Sequence, residues 1–185
     1  MKMEKKKIFI IIPKFKTGGA EKVMINIANE LSKYNLQIYF ITLTKSEKII
    51  LNKKIIQICL NSNKVLFSIL KIRNLINKLK PDVCFSTISH TNVALFIASK
   101  LARYKCKIFL RESNNLFKSI RAQSFLYYFL FFKLVKISYK NSILITPSKQ
   151  LSLSLKKKFG IKNKVFYINN PVKINNSNFN LKKKI

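Results

Sequence analysis

The 185-residue sequence predicts an α/β fold, a parallel sheet with helices packed on both faces. Short runs rich in Ile, Val and Phe recur along the chain, longer segments of helical period alternate with them, and polar or proline-containing turns separate the two. Apolar residues make up 48% of the chain, which suits a buried core and sets it apart from disordered sequences. At this length one domain is expected.

The elements follow in order. Ile8 to Ile12 is an apolar run of strand length. From Ala20 to Tyr34, Val23, Met24, Ile27, Ala28 and Leu31 share one helical face while Lys22, Asn26, Asn29 and Lys33 look away, as in an amphipathic crossover helix. Gln37 to Leu43 and Ile55 to Cys59 read as the next strands. Val65 to Leu79 has helical period and must end before Pro81, because proline drives its predecessor out of the helical region. Strands are then predicted at Asp82 to Ser86 and Lys107 to Arg111, with Asp82 in a structural turn. Phe117 to Tyr139 forms a helix crowded with Phe, Tyr and Leu, followed by a strand from Ser142 to Thr146. Ser148 is placed to cap a helix on which Leu151, Leu155 and Phe159 recur, and Gly160 to close it in a left-handed conformation. Val165 to Ile168 is the last strand, and Asn169-Asn170-Pro171-Val172 breaks regular structure. Residues 1–172 therefore read as one domain, and 173–185 as a basic polar tail or the start of a linker.

The net charge of +31 favours polyanionic partners: nucleic acid, anionic lipid headgroups or phosphorylated substrates. A residue usage crowded with Lys, Asn, Ile and Phe is a second source of that charge, with many lysines simply solvated. Only Arg73, Arg103, Arg111 and Arg121 are arginines, which disfavours sequence-specific nucleic-acid reading, where the bidentate guanidinium dominates. Cys59, Cys84 and Cys106 are odd in number and far apart along the chain, so neither a disulfide framework nor a zinc spacing is present, and a reducing cytoplasm is the natural compartment. The run from Ile8 to Ile12 is too short for a signal-peptide core, and Phe125 to Phe132 falls short of the roughly 20 residues of a spanning helix.

Two of only three glycines, Gly18 and Gly19, stand together between the first strand and the first helix. Such a pair presents bare backbone N–H groups at a helix N-terminus, where the dipole favours a phosphate or carboxylate. The other reading is a plain strand-to-helix turn, since neither a dinucleotide fingerprint nor a Walker loop is present. His90 is the only histidine and Asp82 the only aspartate, so a hydrolytic triad is disfavoured. His90 follows a strand's carboxyl end, where ligands bind in open α/β sheets; a surface helix-cap histidine is the alternative.

The segment IFIIIP followed by KTGGAEKVMINIANEL resembles the start of a family-4 glycosyltransferase. The resemblance continues through KPDVCFSTISHTNVALFIASKL, KIFLRESNN and SILITPSKQLSLSLKKKFGI to KVFYINNPV, and so covers Lys7 to Val172. It implies the first half of a GT-B fold, which is built of two Rossmann-like domains: the first mainly meets the acceptor, the second holds the nucleotide-sugar donor. Transfer would be metal-independent and retaining, with no cofactor. Gly18 and Gly19 would lie under the donor diphosphate or the acceptor, with Glu21 fixing the helix start. The polar residues at the end of KIFLRES would meet the acceptor, which makes Arg111 and Glu112 candidates; their other reading is a local surface ion pair. Lys173 stands where the family often has aspartate.

The donor-binding domain lies beyond this sequence by that reading, so the isolated half is expected to be inactive. Lys133, Lys136 and Lys140 fall on one stripe of an apolar helix, which suits an anionic membrane surface as well as an internal position against the sheet. Two function classes stay open. One is a partial transferase acting on a cell-surface glycan or lipid-linked acceptor at the inner face of the membrane. The other is a non-catalytic basic module that binds anionic membrane or polyanion, or complements a separate donor-domain chain.

Overall fold

The structure, a computed structural model, describes residues 4–15, 18–45, 49–62, 65–113, 125–161 and 165–171. Its strands are β1 Lys6–Ile12, β2 Leu36–Thr42, β3 Ile56–Cys59, β4 Val83–Thr87, β5 Lys107–Arg111, β6 Ile143–Thr146 and β7 Val165–Tyr167. They form one sheet in the order β3-β2-β1-β4-β5-β6-β7, and every pairing is parallel. The helices are α1 Gly19–Leu31, α2 Val65–Leu79, α3 Ser89–Leu101, α4 Phe125–Lys140 and α5 Lys149–Phe159.

The strand order decides which face each helix covers. Parallel crossovers are right-handed, so the step from β1 to β2 places α1 on one face, and the steps that run the other way place α2 to α5 on the opposite one. Alternation along β1 and β2 serves both sides. Ile10, Ile12, Ile38 and Phe40 pack with Met24 and Ala28 of α1. Phe9, Ile11, Tyr39 and Ile41 join Ile69, Ile72 and Ile76 of α2 in the larger core.

Every predicted strand is present, with ends that move by a residue or two. Helix α2 has the expected ends, and Lys80 before Pro81 leaves the right-handed helical region, though at φ 51° it is left-handed and not in the extended conformation that a following proline favours. The Ser148 side chain accepts from the Leu151 N–H at 3.1 Å, and Gly160 closes α5 at φ 59°. Asp82 accepts the Lys7 N–H at 2.8 Å on the amino edge of the sheet.

One element escaped the sequence reading. Helix α3 has no amphipathic stripe because Val93, Ala94, Leu95, Phe96 and Ala98 are all buried between the sheet and α2 and α4, and a helix covered nearly all round shows no period. His90, which follows the carboxyl end of β4, stands exposed in the first turn of α3, the helix-start position that was its other reading. Residues 117–124 of the predicted Phe117 to Tyr139 helix, and the tail from 172 on with Lys173, lie outside the described residues.

Candidate functional site

The chain leaves β1 toward β2 and leaves β4 toward β5, although β1 and β4 are neighbours. Loops that diverge from adjacent strands open a crevice at the carboxyl edge, the usual ligand position in such sheets. Gly18 and Gly19 follow β1, His90 follows β4, and Arg111 and Glu112 stand at the end of β5, so topology brings all five to this edge.

Gly18 caps α1 with φ −70° and ψ 145°, and Gly19 opens the helix; neither uses the left-handed freedom of glycine. What the pair provides is the missing Cβ. At Gly19 a Cβ would meet nothing within 4 Å, so the first turn faces open space. At Gly18 a Cβ would run into the Glu21 carboxylate, which folds back over the helix start. This acidic group in the first turn complements the helix dipole by itself, and an incoming anion would have to displace it.

On the other side of the crevice Ile88 adopts φ 71° and ψ 129°, a strained backbone for a β-branched residue. The strain turns the chain directly into α3. The His90 ring stacks on Phe131 with centroids 4.3 Å apart, and it stays exposed overall, yet the packing around it desolvates it enough to lower its pKa below 6.5. Beside it lies an apolar cavity of 550 Å³ between α2, α3 and α4, lined in part by Ile69, Val93, Ile97 and Leu134.

Arg111 and Glu112 are both buried. The Arg111 guanidinium donates to Thr87 Oγ1 at 3.2 Å and to Asn170 Oδ1 at 2.7 Å, which ties β4, β5 and the segment after β7 together. Burial lowers its pKa, and the nearby Glu112 charge opposes that shift. Glu112 accepts from the Tyr139 hydroxyl and, at 3.0 Å, from the Ser113 N–H. Asn92 extends the network: its amide donates to the Arg111 carbonyl at 3.0 Å and to Tyr139 Oη at 3.3 Å, and its oxygen accepts from Ser86 Oγ at 2.7 Å. Burial, and then the Glu112 charge, push the Tyr139 pKa well above 10.0.

Sequence reasoning missed this network because Asn92 and Tyr139 lie on two helices, and nothing in their spacing announces a common target. It also missed Thr91, whose hydroxyl, like that of Ser113 at the end of KIFLRES, is buried at the carboxyl edge without a hydrogen-bond partner. The cysteines far apart in sequence are partly reunited, since β4 and β5 are neighbours: Cys84 Sγ and Cys106 Sγ stand 3.4 Å apart as free thiols. Among the described residues no cluster of His, Cys, Asp or Glu side chains suits a metal ion.

Helix α4 buries Phe131, Val135 and Tyr139 and leaves Phe129, Leu130, Leu134 and Ile137 exposed. Of the lysine stripe, Lys133 and Lys140 are exposed and Lys136 is half-buried. The helix is thus packed on one side and apolar on its outer side too. No helix among the described residues is long and apolar enough to cross a membrane.

Comparison with known proteins identifies the architecture. Sucrose-phosphate synthase from Thermosynechococcus elongatus superposes with a TM-score of 0.70 at 10% identity over 89% of this chain and 48% of its own. The lipopolysaccharide outer core galactosyltransferase WaaB gives 0.64 at 15% identity over 90% and 46%. A glycosyltransferase from Rickettsia africae gives 0.57 at 18% over 89% and 43%. The chain thus spans about half the length of these structures and has the fold of the first, Rossmann-like half of a GT-B glycosyltransferase. No curated protein matches it in sequence. The family model of Glycosyltransferase Family 4 matches residues 17–176, a span that runs from the glycine pair past the last strand, and this chain belongs to that family.

Proposed function

We propose that this chain is the acceptor-side half of a nucleotide-sugar-dependent glycosyltransferase whose acceptor is lipid-linked. The observation that carries the reading is the position of His90 at the rim of the 550 Å³ apolar cavity, with the exposed Leu66, Leu130 and Leu134 also among its lining residues. An acceptor with an apolar anchor would rest that anchor in the cavity and extend its sugar toward the crevice, where His90 and the first turn of α1 meet it. A ring kept largely neutral can accept a hydrogen bond from an attacking hydroxyl. The donor would be held mainly by a second domain, and the N–H groups at Gly18 and Gly19 would contribute part of the field around its diphosphate. The apolar outer side of α4, with Lys133 on it, suits a peripheral position on the anionic inner face of the cell membrane.

Binding to the chain tests this reading. A glycolipid should raise the melting temperature, whereas its water-soluble sugar head alone should not. Leu134→Glu should weaken glycolipid binding at least tenfold while far-UV circular dichroism stays unchanged. Equal binding of the free head, with Leu134→Glu inert, would remove the lipid-linked acceptor from the proposal.

A further inference from the structure

On the amino edge of the sheet, opposite the crevice, a pocket of 740 Å³ lies between the C-terminal ends of α3 and α4 and the starts of β5 and β6. Lys100, Lys105, Lys107 and Lys140 line it together with Cys106 and Ser142, and no carboxylate does. Lys100 sits 5.4 Å from the centroid of the Phe96 ring, and Lys105 donates to the Ala102 carbonyl at 3.2 Å. Each ammonium carries three donors, so these contacts leave capacity at both.

Three of these lysines stand at or just beyond helix C-termini, where cations complement the dipole. That explains neither Lys107, which begins a strand, nor Ser142. Ser142 is 8% exposed as a residue, and its buried hydroxyl has no hydrogen-bond partner. Buried hydroxyls normally find one. Four lysines and no carboxylate line the pocket beside Ser142, and a multivalent oxyanion there would relieve the lysines' mutual repulsion and offer the unpartnered hydroxyl an acceptor once its side chain rotates toward the pocket.

We propose that this pocket is a second binding site, separate from the acceptor crevice, that takes a phosphoryl group. The group is presented either by an anionic phospholipid headgroup or by a soluble phosphate-bearing small molecule.

Cys106 reports on occupancy because it lines the pocket, and exposed Cys59 provides an internal control. Alkylation of each thiol is followed by mass spectrometry in the presence of inorganic pyrophosphate, of phosphatidylglycerol vesicles, or of phosphatidylcholine vesicles. Sodium chloride at matched ionic strength accounts for general screening. The expected result is at least threefold slower alkylation of Cys106, with Cys59 unchanged. Protection by pyrophosphate identifies a soluble ligand, and protection by phosphatidylglycerol vesicles alone identifies a headgroup. Ser142→Ala and Lys107→Gln should each weaken the protection, whereas Lys78→Gln, an equal charge change on α2, should not. If chloride protects as well as pyrophosphate, if Cys59 slows in parallel, or if Lys78→Gln matches Lys107→Gln, the effect is the general field of a +31 chain and the site is refuted.

Discussion

The Arg111 guanidinium donates to Asn170 Oδ1 at 2.7 Å across 59 residues of sequence, and so ties the end of β5 to the segment that leaves β7. Its second hydrogen bond, to Thr87 at the end of β4, makes it a clamp on three strand ends at the crevice. Arg111→Ala should destabilise the fold by about 2 kcal/mol, as expected for lost charge-assisted hydrogen bonds. Urea unfolding of Arg111→Ala, Asn170→Ala and the double variant would show a coupling energy of about 1 kcal/mol if the clamp is a true pair. Purely additive losses would show that Arg111 is held by packing alone.

Tyr139 and Glu112 make a prediction about alkaline pH. The folded-state pKa of Tyr139 is raised above 10.0, so its contribution to stability is fully present below pH 10 and is lost as pH rises toward the folded-state value, because the unfolded tyrosine ionises first. Tyr139→Phe removes this linkage. It should flatten the alkaline arm of the stability curve and cost about 2 kcal/mol at neutral pH, where Glu112 loses its hydroxyl donor. Denaturant melts between about pH 8 and about pH 11, a window around the normal tyrosine pKa, would test both effects.

His90 titrates in the opposite sense. Its pKa lies below 6.5, so the fold keeps full stability above that value and loses some as pH falls through the folded-state pKa, because the unfolded imidazole protonates first. Since His90 is the only histidine, one pair of imidazole signals in a proton–carbon NMR titration reads the value directly. A midpoint at or above 6.5 would contradict the desolvated ring. If the ring meets an acceptor as proposed, His90→Gln should lower transfer about tenfold or more in a protein that also carries a donor domain.

At the glycine pair, stability and function should separate. Gly19→Ala adds a methyl group in open space within the first turn of α1 and should stabilise the fold by up to about 1 kcal/mol. If ligand lies against that turn, the same change should weaken binding or transfer. Gly18→Ala requires only that the flexible Glu21 side chain swing away, so its effect on stability should stay within about 1 kcal/mol. A Gly19→Ala protein that is both more stable and fully competent in ligand binding would assign the pair to the turn alone.

Gly160 is the one glycine held at positive φ, 59°, and an alanine there should cost about 1–2 kcal/mol. Thermal melts of Gly160→Ala and Gly160→Asn would check it, with asparagine expected to lose less.

The sequence alone determined the strands, the α1, α2 and α5 helices, the caps of α5 and the α/β class, although it ran α1 on to Tyr34 where the helix ends at Leu31. These follow from local causes: apolar runs of strand length, one-sided helical faces, a proline after α2, and a serine and a glycine at the ends of α5. It also determined the family, because the order of its segments is itself a signature. Helix α3 was hidden because complete burial erases the periodicity by which a helix is read. Tertiary structure alone decided the rest. Strand order set Arg111 beside Thr87 and within reach of Asn170, and let Asn92 and Tyr139 converge on the end of β5. It also placed four lysines from α3, α4, the approach to β5 and β5 itself in the lining of one pocket with Ser142. The hydrogen bonds of Arg111, Asn92 and Tyr139 join residues far apart in the chain, and only the parallel pairing of distant strands brings them within reach.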